Sequence, residues 1–188
     1  MRRTLLLLST MSLAVLMVGG VALAANIQCV VNTTCFGTST ADTMSGTNSR
    51  DLMYGKGGAD TMHGYGGVDT VHGDKGSDHI YGDSGADNSL WGGGLSGSSY
   101  PDNSADYVHG GRGNDTLYGG LAQGGVDRLY GERGNDFINT SQRHQEDFKP
   151  VTKEIINCGS GASDEVYFDK GVDVFTNRTN CEIRHPVS

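Results

Sequence analysis

Apolar residues recur at a fixed interval of nine through the middle of the chain. From residue 55 to residue 81, three successive units share one plan: glycine at position one, a second glycine at position four, aspartate at position six and an apolar residue at position eight. Positions six to nine alternate between polar and apolar, which predicts a very short β-strand with one buried face. The glycine-rich first half favours a turn that uses positive φ angles. Each unit therefore predicts one turn followed by one short strand.

The same frame extends in both directions and gives ten units. The two upstream units carry Asp42 and Asp51, but Thr40 and Ser49 replace their second glycine. The downstream units carry Asp87, Asp106, Asp115, Asp127 and Asp136, and a degenerate eleventh unit carries Asp164. The spacing between successive aspartates exceeds nine residues at two places, which indicates insertions around residues 92–105 and 121–124.

Strands this short are not stable alone, so we expect two units to form one coil of a right-handed parallel β-roll. The strands lie on opposite sides, and successive coils stack about 4.8 Å apart. The position-eight side chains then form a thin apolar interior: Met62, Val71, Ile80, Val108, Leu117, Leu129 and Ile138. One buried side chain per nine residues does not offset the backbone entropy lost on ordering those residues. The fold class therefore requires a further source of stability.

Stacking places like charges one strand spacing apart, for example Asp60 over Asp78 and Asp69 over Asp87. These carboxylates repel each other, and a divalent cation between them converts the repulsion into attraction. Aspartate oxygens and the carbonyl oxygens of a flexible turn are hard ligands, which suit Ca²⁺ better than Mg²⁺. The sequence therefore predicts Ca²⁺ as the bound ion.

The repeated unit resembles the hemolysin-type calcium-binding repeat of the RTX proteins. The resemblance implies an all-β fold in which each ion lies between turns of neighbouring coils at the same edge. The position-six aspartates and the carbonyl groups of the glycine turns would hold it. Units that keep both glycines supply Asp60, Asp69, Asp78, Asp87, Asp115 and Asp136 as candidate ligands. Asp106 and Asp127, which follow insertions, and Asp42 and Asp51, which lack the second glycine, complete the candidate set.

Residues 1–25 have the plan of a secretory signal peptide. Arg2 and Arg3 precede an apolar run, and the segment ends with the small-x-small motif Ala22-Leu23-Ala24. We therefore expect export, with cleavage after Ala24 or Ala25; an uncleaved membrane anchor is the alternative. The remaining chain divides into an N-terminal cap (26–36), the β-roll (37–139), a polar loop (140–150) and a C-terminal β cap (151–188).

Four cysteines flank the repeats, Cys29 and Cys35 before them and Cys158 and Cys181 after them. An exported chain with four cysteines favours two disulfides, and sequence alone allows three pairings. Pairing Cys29 with Cys35 and Cys158 with Cys181 is favoured because each bond is then local to one end of the stack, where a solenoid needs a cap.

The net charge and the motifs argue against nucleic-acid binding and against two classes of protease. The net charge is −8, and loss of Arg2 and Arg3 would change it to −10, so nucleic acid is an unfavourable partner. Gly82-Asp83-Ser84-Gly85 matches the nucleophile motif of trypsin-like proteases, but its letters belong to the repeat frame, and the motif H-E-x-x-H is absent from the sequence. We expect a monomeric, secreted, non-enzymatic calcium-binding protein. The alternatives are a calcium-dependent cell-surface adhesion module and a secreted hydrolase with its site in an insertion or the tail.

Overall fold

The computed structural model describes residues 23–93, 102–120, 125–140, 152–177 and 180–187. These residues form short β-strands joined by turns, and no helix among them is long and apolar enough to cross a membrane. Most of the expected signal peptide, most of the 140–150 loop, most of the 92–105 insertion and all of the 121–124 insertion lie outside the described residues.

The strands alternate along the chain between two sheets. Sheet A contains β1 (Asn26–Gln28), β3 (Thr43–Ser45), β5 (Thr61–His63), β8 (His79–Tyr81), β11 (Tyr107–Arg112), β13 (Arg128–Arg133), β15 (Ile155–Asn157) and β17 (Val174–Phe175), with the two-residue strands β6 (Gly66–Gly67) and β9 (Ser84–Gly85) beside them. Sheet B contains β2 (Thr34–Phe36), β4 (Leu52–Tyr54), β7 (Thr70–Asp74), β10 (Ser89–Gly93), β12 (Thr116–Tyr118), β14 (Phe137–Asn139), β16 (Glu165–Asp169) and β18 (Ile183–Val187). Every pairing is parallel, for example Met62 beside Ile80 in sheet A and Met53 beside Val71 in sheet B. The predicted all-β parallel roll is confirmed, with two units to each coil.

The interior is a single column of position-eight side chains. All seven predicted interior residues have 0% exposure, and Met44, Met53, Leu90, Ile156 and Val166 extend the same column. Leu90 reaches the column although it stands one place late in the sequence. The additional residue, Asn88, is accommodated before β10, where its N–H donates to the Asp69 carbonyl oxygen at 3.1 Å.

Disulfides close both ends of the roll, with the predicted pairing. Cys29 is bonded to Cys35, and Cys158 is bonded to Cys181. The strands of the C-terminal segment 151–188 continue the two sheets of the roll. β15 pairs with β13 in sheet A, and β16 pairs with β14 in sheet B.

Candidate metal centre

The position-six residues form two ladders, one along each edge of the roll. The first-edge ladder consists of the residues that precede sheet A strands, Asp42, Asp60, Asp78, Asp106 and Asp127. The second-edge ladder consists of those that precede sheet B strands, Asp51, Asp69, Asp87, Asp115, Asp136 and Asp164. The structure therefore brings all ten sequence-predicted aspartates into two columns and adds Asp164 from the degenerate eleventh unit.

One oxygen of each carboxylate is used to hold the coils together. The backbone N–H of Asp42 donates to Asp60 Oδ1 at 2.7 Å, and that of Asp60 donates to Asp78 Oδ1 at 2.8 Å. The second-edge ladder repeats this contact, with the Asp69 N–H donating to Asp87 Oδ1 at 2.8 Å. These bonds fix each side chain and direct its second oxygen into the space between neighbouring turns.

The second carboxylate oxygen has no partner in most of the ladder. Among the described residues, the Oδ2 atoms of eight candidate ligands are buried and accept no hydrogen bond: Asp60, Asp69, Asp78, Asp87, Asp106, Asp115, Asp127 and Asp136. A buried carboxylate oxygen without a donor is costly. The same defect repeated from coil to coil indicates that a group outside the polypeptide satisfies these atoms.

The position-one glycines leave space where these oxygens converge. A Cβ atom on Gly55 would lie 2.4 Å from Asp60 Oδ2 and 2.6 Å from the carbonyl oxygen of Gly73 in the next coil. On the other edge, a Cβ on Gly82 would lie 2.3 Å from Asp87 Oδ2 and 2.5 Å from the Gly110 carbonyl oxygen. Each turn therefore directs a carboxylate oxygen and a main-chain carbonyl oxygen from the next coil towards the same region.

Burial and mutual repulsion make the ladder unfavourable as a row of bare anions. Burial raises the pKa of Asp78 to about 8. A backbone hydrogen bond opposes this shift, and the charges of Asp60 and Asp102 add to it. Burial and the charge of Asp127 raise the pKa of Asp106 to about 9. Burial also raises the pKa of six further ladder carboxyls, to about 6 for Asp60, Asp69 and Asp115 and to about 7 for Asp87, Asp127 and Asp136. A cation in the ladder would compensate this penalty.

The site combines side-chain and main-chain ligands. The described residues contain no group of three or more His, Cys, Asp or Glu side chains arranged around a single point. Any ion between two turns would therefore draw on one or two carboxylates together with carbonyl oxygens of the glycine turns. This donor set consists entirely of oxygen, which suits Ca²⁺ and is unsuitable for zinc.

Sequence reasoning did not identify Asp102, which belongs to the insertion before β11. Its Oδ2 atom is buried without a partner, and it lies with Asp106 Oδ2 beside Gly93, at 3.5 and 3.6 Å from the position that a Cβ would take there. The insertion therefore contributes a second carboxylate to one turn of the first-edge ladder. Because Asp102 lies outside the nine-residue frame, the spacing carried no signal for it.

The position-nine rings and Ser84 make contacts between adjacent coils. The position-nine rings form stacked columns on the outside of the sheets, with His63 and Tyr81 centroids 4.5 Å apart and Tyr54 and His72 centroids 4.9 Å apart. His72 lies between the rings of Tyr54 and Trp91 in the neighbouring coils, which bury it, and this burial lowers its pKa. The Ser84 hydroxyl donates to the carbonyl oxygen of Tyr65 at 2.8 Å, a contact between adjacent coils.

Comparison with known protein families agrees with this geometry. The profile of the RTX calcium-binding nonapeptide repeat matches residues 36–71, 63–94 and 100–138, which together cover about half of the chain. The protein belongs to this family of calcium-binding β-roll proteins. Searches of curated proteins and of solved structures found no match.

Proposed function

We propose that the protein is a secreted, non-enzymatic calcium-binding protein whose β-roll folds when several Ca²⁺ ions occupy the spaces between its turns. The observation that carries this proposal is the repeated buried Oδ2 atom without a hydrogen-bond donor. A roll with one apolar side chain per unit has little other means of offsetting its backbone entropy.

The proposed ligands are the ladder aspartates with an unpaired Oδ2 atom, together with carbonyl oxygens of the glycine turns. They include the six aspartates from complete units and also Asp106 and Asp127, whose turns follow insertions. Asp102 and Asp164 also have an unpaired Oδ2 and extend the set. Asp42 and Asp51, which the sequence also nominates, lie in the same columns but have protein donors at that atom.

Coupling to the ion suits a protein that folds after export. Extracellular calcium modules bind at about 10⁻⁴ to 10⁻³ M, far above the free calcium concentration inside a cell. An ion that binds only the folded state shifts the folding equilibrium by mass action. The chain would therefore remain unfolded until it reached calcium outside the cell, in agreement with the expected signal peptide.

The proposal is tested by calorimetric calcium titration of residues 25–188, followed by circular dichroism and Trp91 fluorescence. The Trp91 ring is 4.0 Å from the Tyr118 ring across adjacent coils, so its emission reports stacking. We expect several bound ions, a β spectrum that falls sharply when calcium is chelated at neutral pH, and loss of at least one ion in Asp78→Asn. Glu165→Gln is the control, since Glu165 lies on β16 outside both ladders, where it contacts His185, and its change also removes one negative charge. Absence of calcium binding, or an unchanged β spectrum in chelator, would refute the proposal.

A further inference from the structure

Asp42 and Asp51 differ from the rest of the ladder because both accept hydrogen bonds from their own turn. Asp42 Oδ2 accepts the backbone N–H of Thr38 at 2.6 Å and its hydroxyl at 2.9 Å. Asp51 Oδ2 accepts the N–H of Thr47 at 2.6 Å and its hydroxyl at 3.0 Å. Both threonines occupy position two. The Oδ2 atom that is unpaired elsewhere in the ladder is therefore already satisfied in these two turns. Asp51 Oδ1 is buried without a partner, but in the other ladder aspartates that atom accepts the backbone N–H of the preceding coil and does not face the turn.

Later turns direct the position-two N–H away from their own aspartate. Lys56 and Tyr65 occupy position two in the left-handed region, with φ angles of 72° and 68°. The Lys56 N–H donates to Asp74 Oδ2 at 3.2 Å, and the Tyr65 N–H donates to Asp83 Oδ2 at 3.3 Å. Both acceptors lie one coil further along, also at position two. Asp60 Oδ2 and Asp69 Oδ2 consequently lose the donor that Asp42 and Asp51 retain.

The threonine turns have a local reason for this difference. The hydroxyl of Thr38 accepts the backbone N–H of Thr40 at 3.2 Å, and that of Thr47 accepts the N–H of Ser49 at 3.1 Å. Neither Thr40 nor Ser49 has a positive φ angle, whereas the position-four glycines Gly58 and Gly67 have φ angles of 114° and 129°. Side chains with a hydroxyl group form such local turns readily. The replacement of the second glycine and the inward N–H therefore belong to one turn conformation, which we call the closed turn.

We propose that the position-two residue determines, turn by turn, whether a ladder aspartate holds an ion. Threonine at this position closes the turns at residues 37–42 and 46–51, so Asp42 and Asp51 bind no calcium, whereas the ion-binding ladders begin at Asp60 and Asp69. This inference rests on the proposed function and specifies which turns perform it.

The chemistry of the closed turn supports the exclusion of an ion. Two donors on one carboxylate oxygen form charge-assisted hydrogen bonds, which are stronger than those between neutral groups. A calcium ion at Asp51 Oδ2 would displace the N–H and hydroxyl groups of Thr47 and leave these donors without an acceptor. In the next second-edge turn, Asp69 Oδ2 offers an ion an oxygen atom with no competing donor.

The test counts ions by native mass spectrometry and calorimetry in a matched pair, Asp51→Asn and Asp69→Asn. Both residues belong to the second-edge ladder in adjacent coils, and the changes are identical. We expect Asp69→Asn to lose at least one ion and Asp51→Asn to retain the wild-type number. Equal loss in the two variants would overturn the inference. If the wild-type protein bound no calcium at all, the proposed function itself would fail, and that result is distinct from the first.

A gain-of-site variant provides a second test. Thr47→Gly with Ser49→Gly restores glycine at position four and removes the closing hydroxyl, so we expect one additional ion. The same double change combined with Asp51→Asn is the control and returns to the wild-type number. A folded double variant with no additional ion would contradict the proposal that the turn conformation determines ion binding. If the double variant does not fold, the comparison of Asp51→Asn with Asp69→Asn still tests the proposal.

Discussion

The position-four glycines provide the sharpest test of how closely the turns stack. At Gly76 the φ angle is 116°, and an added Cβ would lie 1.7 Å from the carbonyl oxygen of Gly58 in the preceding coil. The obstacle is backbone and does not rotate away. Gly76→Ala therefore requires either a strained residue within an intact stack or a separation of two coils at a calcium turn.

The expected loss of folding free energy in Gly76→Ala has two contributions. A side chain in a backbone region reserved for glycine costs about 1 to 3 kcal/mol, and weakening the bond from the Gly58 N–H to the Lys75 carbonyl oxygen, now 2.9 Å, adds about 0.5 to 1.5 kcal/mol. We expect roughly 2 to 4 kcal/mol of destabilisation. For a chain of this size this corresponds to a fall in Tm of roughly 5 to 15 °C.

The assay is thermal unfolding by circular dichroism in saturating calcium, with Gly57→Ala as the control. Gly57 lies in the facing turn, its φ angle is not positive, and an added Cβ would approach no closer than 3.6 Å, to the Lys75 carbonyl oxygen. We expect the control to change the Tm little. If Gly76→Ala unfolds at the same temperature as Gly57→Ala, the turns do not stack as closely as described.

Three further outcomes follow from the core, the charges and the C-terminal disulfide. Ile80→Ala removes a fully buried side chain and should cost about 2 to 5 kcal/mol, whereas His79→Ala on the outer face should cost far less; similar losses would argue against a single interior column. Eight of the ladder carboxyls have folded-state pKa values of about 6 to 9 against an ordinary unfolded value of about 3.9, so the ion-free folded state binds more protons and loses stability as the pH rises through this window. Circular dichroism in chelator should therefore show more β structure at pH 5 than at pH 8, and the reverse trend would contradict the burial of these groups. Cys158→Ser with Cys181→Ser opens a loop of 23 residues and should cost about 3 kcal/mol in denaturant titrations; unchanged stability would show that this bond does not hold the end of the roll.

Much of the fold could be predicted because the nine-residue frame is a local code. Each unit specifies its own turn, strand and buried residue, so Met62 and Ile80 could be assigned to the interior without any knowledge of long-range contacts. The two ladders follow from the same frame, because two units per coil place every second aspartate on one edge. The pairing of the cysteines could be predicted because each pair is close to one end of a linear stack.

The features that escaped prediction are those that depart from the frame. Asp102 lies in an insertion, where spacing gives no position for its side chain. In the tail, Glu154, Asp173 and Glu182 precede sheet strands as the ladder aspartates do, but none of the three has the glycine at position one that marks a repeat. The closed turns were visible only as missing glycines, because the hydrogen bonds of Thr38 and Thr47 depend on backbone angles that the sequence does not state.

Acidic side chains at the two ends of the first-edge column have partners within the protein, and Glu154, which precedes β15, lies at its C-terminal end. At the N-terminal end, Asp42 accepts the Ala25 N–H at 2.9 Å in addition to the two donors of Thr38. At the C-terminal end, burial and a hydrogen bond with Asp173 raise the pKa of Glu154 to about 10, so Glu154 keeps its proton at neutral pH. Asp173 Oδ2 accepts the Thr140 hydroxyl at 2.9 Å.

This arrangement predicts a specific pattern of unfolding when calcium is removed. Because both ends of the ladder have protein partners and a disulfide, whereas each carboxylate between them has a buried Oδ2 atom without a protein donor, we expect the middle of the roll to open first. Amide hydrogen exchange in chelator should show residual protection at β3 and β15 and fast exchange at β5, β8 and β11. Calcium should restore protection in the middle with the greatest change at the turns of Asp78 and Asp106, whose carboxyl pKa values are raised furthest among the ladder aspartates. Uniform exchange along the whole roll in chelator would show that the ends depend on the ion as much as the centre does.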